Sequence, residues 1–189
     1  VGSLTMNFIE GDMSKKDLDI INKNVINSDI FPWYYCAQTV TTAKDPNKHP
    51  CFTHILLPRH KFNKDVKINS SCYYFFEKIF KSFCEKNKIK VNNILRANIN
   101  LQTYFKEKMG EPHVDHDFPH KVCIMYLNTV TKGSTYVFKE KIKTKKYNLL
   151  KEIKNKAGKI IIIPGEHYHS AGHCGETNEK KITCVFSFN

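Results

Sequence analysis

Residues 94–105 read ILRANINLQTYF. Leu95, Ala97, Ile99, Leu101 and Phe105 share one parity, and Arg96, Asn98, Asn100, Gln102 and Tyr104 share the other. Alternation with a period of two puts successive side chains on opposite faces, which predicts a strand. Its second face is unusually polar. A polar strand face is either wetted by solvent or lines a cavity, and the surrounding chain has to say which.

Upstream of this stretch the period is helical. SKKDLDIINKNVIN, residues 14–27, carries Leu18, Ile21, Val25 and Ile26 at helical spacing, with Ser14 and Asp17 as a start signal. Residues 71–87 predict a second helix whose apolar stripe is Tyr74, Phe75, Ile79, Phe83 and Cys84. Between them DIFPWYYCAQTV suits a strand, and the proline-bearing TTAKDPNKHPCFTH reads as a loop. Downstream come short strands punctuated by glycines: VCIMYL, STYVF, KIIIIP, HYHSA and KITCVFSF, with YNLLKEIKN as a helical turn or insertion. Helices first and many short strands last predict an α+β, mainly β fold, a sandwich or barrel with the N-terminal helices packed on one outer face. The length of 189 residues fits one domain, with a support region over 1–93 and a β core over 94–189.

Composition narrows the function. The 41% hydrophobic content supports a core, and no apolar run is long enough to span a membrane. The first residues lack a basic start and an apolar stretch, so no secretory leader is expected. Seven scattered cysteines without a Cys-x-x-Cys pair argue against a disulfide framework and a thiolate zinc site, and point to the reducing cytoplasm. The net charge of +12 invites a nucleic-acid surface, but only Arg59 and Arg96 among the 30 basic residues are arginine. Arginine is the preferred residue for phosphate and base recognition. The excess of Lys, Asn and Ile reads instead as the composition of an A/T-rich genome.

Six of the nine histidines fall in two clusters: His113, His116 and His120 in EPHVDHDFPH, and His167, His169 and His173 in EHYHSAGH. Each cluster borders a predicted strand. His113 and Asp115 lie two apart, so in an extended segment both point the same way. Asp117 shares that parity, and His116 is a near alternative. An imidazole from the second cluster would complete two histidines and one carboxylate on one face of a metal, an arrangement that leaves positions open and favours Fe(II) in oxygen-activating enzymes.

The order of these pieces, His-x-Asp before an apolar strand, KIIIIPGEHYHSAG, then KKITCVFSFN, resembles the Fe(II)/2-oxoglutarate-dependent dioxygenases. The resemblance is to the prolyl 4-hydroxylase-like branch and to small oxygenases of phage genomes, and DIFPWYY followed by a phenylalanine-rich helix is similar to those phage proteins too. It implies a double-stranded β-helix, or jelly-roll, with iron at its open end. It implies His113, Asp115 and His169 as metal ligands, with His167 and His173 as rivals for the third place. For the far carboxylate of 2-oxoglutarate it implies Lys181, with Lys180 as the alternative and Thr183 as a supporting hydroxyl. Tyr126, Gln102 and Tyr104 match further cosubstrate contacts, so the polar face of 94–105 would line the cavity. The cofactors implied are Fe(II), 2-oxoglutarate and O2, with ascorbate as a reductant. The implied substrate is a peptidyl side chain such as proline, with Trp33, Tyr34 and Tyr35 as aromatic surface or simple packing. A nucleic-acid base hydroxylase or dealkylase and a non-catalytic jelly-roll binding module are the alternatives. The expected location is the cytoplasm, that of an infected host if the chain is of phage origin, with no membrane partner.

Overall fold

The alternating stretch is a strand, and its two faces divide the molecule into layers. The computed structural model describes residues 8–38, 40, 45, 47–59 and 66–189. Among these, the elements run β1 (Ile9–Asp12), α1 (Lys15–Ile21) with a closing π-turn (Asn22–Ile26), β2 (Tyr34–Cys36), β3 (Cys51–Leu57), α2 (Tyr73–Lys86), β4 (Ile94–Thr103), β5 (Lys121–Tyr126), β6 (Thr135–Phe138), β7 (Leu149–Ile153), β8 (Lys159–Pro164), β9 (His169–Ala171) and β10 (Lys180–Phe188). A seven-stranded sheet has the order β1-β8-β5-β10-β4-β3-β2, and a three-stranded sheet the order β7-β6-β9. Every pairing between these strands is antiparallel. From β4 onward the chain passes repeatedly between the two sheets, which is the winding of a jelly-roll.

The apolar parity of β4 faces the helices. Ala97, Ile99 and Leu101 join Cys123 and Met125 of β5, Ile160 and Ile162 of β8, and Ile182, Cys184, Phe186 and Phe188 of β10 in one cluster with α1 and α2. Phe80 stacks on Phe186 at 4.8 Å and meets Phe188 edge-on at 4.9 Å. Burying each such ring contributes about 2–3 kcal/mol. The other parity faces the smaller sheet. There Val122, Ile124, Tyr126, Val137, Ile153, Ile161 and Ile163 form a second cluster between the sheets. Toward β4 this inner face turns polar, and Asn98 is buried in it. Arg96, Asn98, Asn100 and Gln102 of the polar parity therefore face inward, toward the smaller sheet.

Several expectations shift. The α2 stripe is rotated by about a residue: Tyr73, Phe76, Ile79, Phe80, Phe83 and Cys84 are buried, while Tyr74 is 61% exposed. The segment expected to be a helical turn, YNLLKEIKN, contains β7, because pairing with β6 overrides the helical propensity of its Leu, Lys and Glu residues. The loop expected over 41–54 lies partly outside the described residues, and from Cys51 onward it is β3. Residues 1–7 also lie outside the described residues. The N-terminal strands β1, β2 and β3 all extend the larger sheet.

Candidate metal centre

The segment before β5 runs antiparallel to β9, with Met109 bridging to Gly172 and His113 to His169. His113 and His169 exchange both backbone hydrogen bonds, at 3.0 and 2.9 Å. Residues paired this way stand directly opposite with their side chains on one face, and their ring centroids are 4.8 Å apart. Two residues on, Asp115 brings Oδ1 to 3.8 Å from His113 Nε2. One donor atom from each of His113, Asp115 and His169 lies within 4.8 Å of the others, the one such trio among the described residues.

The tautomers follow from the backbone. His113 Nδ1 lies 3.1 Å from the Glu111 carbonyl and His169 Nδ1 3.1 Å from the His167 carbonyl. A carbonyl oxygen only accepts, so each Nδ1 carries the proton and each Nε2 keeps its lone pair. Burial, then repulsion from His113, pushes the His169 imidazole down to about 4, so it is neutral at pH 7. Burial opposes ionisation of Asp115, but Arg96, the two imidazoles and Arg59 outweigh it and hold the carboxyl well below its ordinary range. Two imidazoles presenting Nε2 and one carboxylate suit a divalent transition metal with open positions.

The chain's two arginines converge on the same carboxylate. Arg59 Nη1 donates to the Asp115 carbonyl at 2.5 Å, and Arg59 Nη2 and Arg96 Nη1 each stand 3.7 Å from Oδ1. Ser187 Oγ donates to Oδ2 at 3.2 Å. Along β4, Arg96 Nε donates to Asn98 Oδ1 at 2.7 Å, Asn98 Nδ2 to Asn100 Oδ1 at 2.5 Å, and Thr53 Oγ1 to the same oxygen at 3.2 Å. The sequence reading assigned the arginines no place in the site. The available signal was their rarity in a lysine-rich chain.

Lys181 stands on the same face of β10 as Ser187, six residues away. Its side chain is 1% exposed, whereas Lys180 is exposed. Nζ donates to the Gly172 carbonyl at 2.5 Å and lies 3.4 Å from the Gly133 carbonyl. Among the described residues no carboxylate comes within ion-pair distance, and burial pushes the ammonium down to about 8. Thr183 shares its face, opposite Tyr126 on β5 and Asn100 on β4. The buried Tyr126 hydroxyl is 2.5 Å from Thr135 Oγ1, and Gln102 pairs across from Lys181.

Other expected residues fall elsewhere. Tyr104 follows the end of β4, is 37% exposed and borders a hollow with Lys108, Ser134, Tyr136 and Glu152. Ser134 and Tyr136 alternate with the inward Thr135 and Val137, so this hollow opens on the outer side of the smaller sheet. The strand ends before it can carry Tyr104 into the cavity. His173 packs on His49 and Phe105 and bonds the Glu107 carbonyl, while His167 bonds the Phe138 carbonyl. Asp117 is exposed, and His116 meets His120 edge-on.

No family model matches this sequence, and no curated protein does. Solved structures with the same fold do. A prolyl-4-hydroxylase from Pseudomonas putida aligns over 98% of this chain and 93% of its own at 9% identity and a TM-score of 0.58. A prolyl hydroxylase from Trichoplax adhaerens, in complex with a hypoxia inducible factor peptide fragment, aligns over 97% and 78% at 8% identity and a TM-score of 0.62. HygX from Streptomyces hygroscopicus, with nickel and 2-oxoglutarate bound, aligns over 98% and 83% at 10% identity and a TM-score of 0.58. At these identities the likeness is one of fold, and it matches the jelly-roll expected from the sequence. These structures lend no support to the phage affinity. No helix among the described residues is long and apolar enough to cross a membrane.

Proposed function

We propose that this protein is an Fe(II)- and 2-oxoglutarate-dependent oxygenase that hydroxylates a peptidyl side chain such as proline, with residues 1–189 forming one domain. One observation carries the reading: a single face of β10 joins a trio of metal donors, through Ser187, to a buried ammonium that has no acid partner among the described residues. His113, Asp115 and His169 hold the metal. Their Nδ1 bonds to backbone carbonyls keep both imidazoles in the ligating tautomer, and Ser187 orients the carboxylate.

Lys181 receives the far carboxylate of 2-oxoglutarate. A buried carboxylate needs a cation and hydrogen bonds to offset its desolvation, and a buried lysine needs an anion for the same reason. Thr183, Tyr126 and Gln102 flank that pocket. When bound, the iron supplies O2 activation coupled to decarboxylation of 2-oxoglutarate to succinate and CO2. The apolar cluster of Val122, Ile124, Ile161 and Ile163 keeps water from the adjoining inner face. The Trichoplax adhaerens neighbour holds a peptide, which supports a protein substrate here.

The test is succinate formation from 2-oxoglutarate under air with Fe(II) and ascorbate, comparing wild type with His113→Ala and His169→Ala. Turnover lost in both variants is the expected result. Absence of any Fe(II)-dependent binding of 2-oxoglutarate to the wild-type protein would overturn the reading and leave a jelly-roll binding module.

A further inference from the structure

We infer that Arg59 and Arg96 together form a recognition point for an oxyanion, the carboxylate or phosphate group of an acidic or phosphorylated residue beside the peptidyl side chain to be oxidised. The inference rests on the oxygenase reading and adds the chemical class of substrate to it.

The two guanidinium groups are under-used. Each lies 3.7 Å from Asp115 Oδ1, too far for a hydrogen bond. Arg59 spends Nη1 on the Asp115 carbonyl, and Arg96 spends Nε on Asn98. Among the described residues the remaining N–H groups have no hydrogen-bond acceptor. Both side chains are also reachable from solvent, at 28% and 21% exposure, while the Asp115 side chain between them is 7% exposed. Donors thus sit on the solvent side of the site and the ligand carboxylate sits beneath them.

Charge points the same way. Two cations face one carboxylate, and a metal held by Asp115 would claim that carboxylate. The guanidiniums would then stand beside a cation with no anion of their own. An incoming oxyanion supplies that anion, and a pair of its oxygens suits the forked donors of arginine. The rigid chain Arg96–Asn98–Asn100–Thr53 along β4 and β3 fixes the direction in which the Arg96 fork points. That chain is unnecessary if the arginines serve only as a diffuse positive field for Asp115.

Because the protein has two arginines, protein labelled with 15N-arginine gives two Nε–H signals, which Arg59→Lys assigns. The protein is loaded with Zn(II) and 2-oxoglutarate so that no turnover occurs. Sodium acetate or sodium phosphate is added against sodium chloride at equal ionic strength. Both signals should move saturably with acetate or phosphate and not with chloride, and the anion that saturates at the lower concentration identifies the group. In Arg59→Lys the surviving Arg96 signal should respond with about tenfold weaker affinity, the loss of one charge-assisted hydrogen bond. A response no different from chloride would overturn the inference, as would an Arg96 affinity unchanged in Arg59→Lys. Failure of the oxygenase reading would show separately, as no Zn(II) uptake that His113→Ala abolishes, with the arginine signals still readable.

Discussion

Replacing Lys181 by methionine should strengthen the empty protein while removing its hold on 2-oxoglutarate. The ammonium is buried against the carbonyls of Gly172 and Gly133, and burial brings its pKa from 10.5 to about 8. The folded protein therefore holds this proton less tightly than the unfolded chain does. At pH 7 both states are protonated, and at about 1.4 kcal/mol per pKa unit the buried charge costs about 3 kcal/mol. The cost is complete below pH 8 and fades between pH 8 and 10.5, where the folded protein sheds the proton first. Wild-type stability should rise across that window, and Lys181→Met should lack that rise. Methionine keeps most of the side-chain volume, so at pH 7 the variant should be as stable as wild type or up to about 3 kcal/mol more stable. For 2-oxoglutarate the sign reverses. Loss of a charged hydrogen bond is worth about 1.5–3 kcal/mol, and the carboxylate would be left desolvated as well, so affinity should fall at least about thirtyfold. Urea unfolding at pH 7 and 9.5, followed through the lone Trp33, measures the first effect, and calorimetry on Zn(II)-loaded protein the second. A variant that is less stable than wild type by more than about 1 kcal/mol, or that keeps 2-oxoglutarate affinity within about threefold, would refute the assignment of Lys181 as a charge held ready for the cosubstrate.

The neighbouring positions give sharper or flatter responses. A Cβ on Gly172 would lie 2.5 Å from the Ser134 carbonyl oxygen and 3.0 Å from the Ser134 nitrogen, both backbone atoms. Gly172→Ala should therefore push β9 from β6, cost about 1–3 kcal/mol in urea unfolding, and weaken 2-oxoglutarate through the displaced Lys181 acceptor. Tyr104→Phe should leave 2-oxoglutarate affinity within about twofold, because this side chain borders the outer hollow; a large loss would return it to the cavity. Phe80→Ala removes the ring stacked on Phe186 and should cost about 3–5 kcal/mol without changing Zn(II) uptake per folded molecule, checked by metal analysis of the purified variant.

What the sequence disclosed depended on how each element is buried. The faces of β4 are written in alternate residues because one meets the helices and the other a cavity. The inner strands β5 and β8 are apolar on both faces and read as continuous runs, whereas β10 is apolar toward the helices and carries Lys181, Thr183 and Ser187 on its inner face. The α2 stripe was harder, because an unbroken run of aromatics from Tyr73 to Phe76 fits two helical phases. Contact with Phe186 and Phe188, far along the chain, selects the phase that exposes Tyr74. At the site, parity could not separate His167 from His169. Strand pairing does separate them in space: His169 stands opposite His113, while His167 turns its Nδ1 to the Phe138 carbonyl.

The arginines and β3 were missed for one shared reason. Arg59 follows β3 and Arg96 lies on β4, and the two approach because Leu57 pairs with Ala97 across those strands. The prolines ahead of Cys51 made the start of β3 read as loop, so no strand was available to carry Arg59 to Arg96. Without that pairing, two arginines in a chain of 30 basic residues look like a compositional accident. With it, the chain's two forked, permanently charged donors are both beside one buried carboxylate, and among the described residues no lysine pairs with it. Lysine would supply the charge but not the planar fork. Keeping Asp115 ionised needs charge alone, whereas gripping an oxyanion in a fixed orientation needs the fork. The same scarcity of arginine that weighed against a broad nucleic-acid surface therefore points to a small, directional anion site beside Asp115.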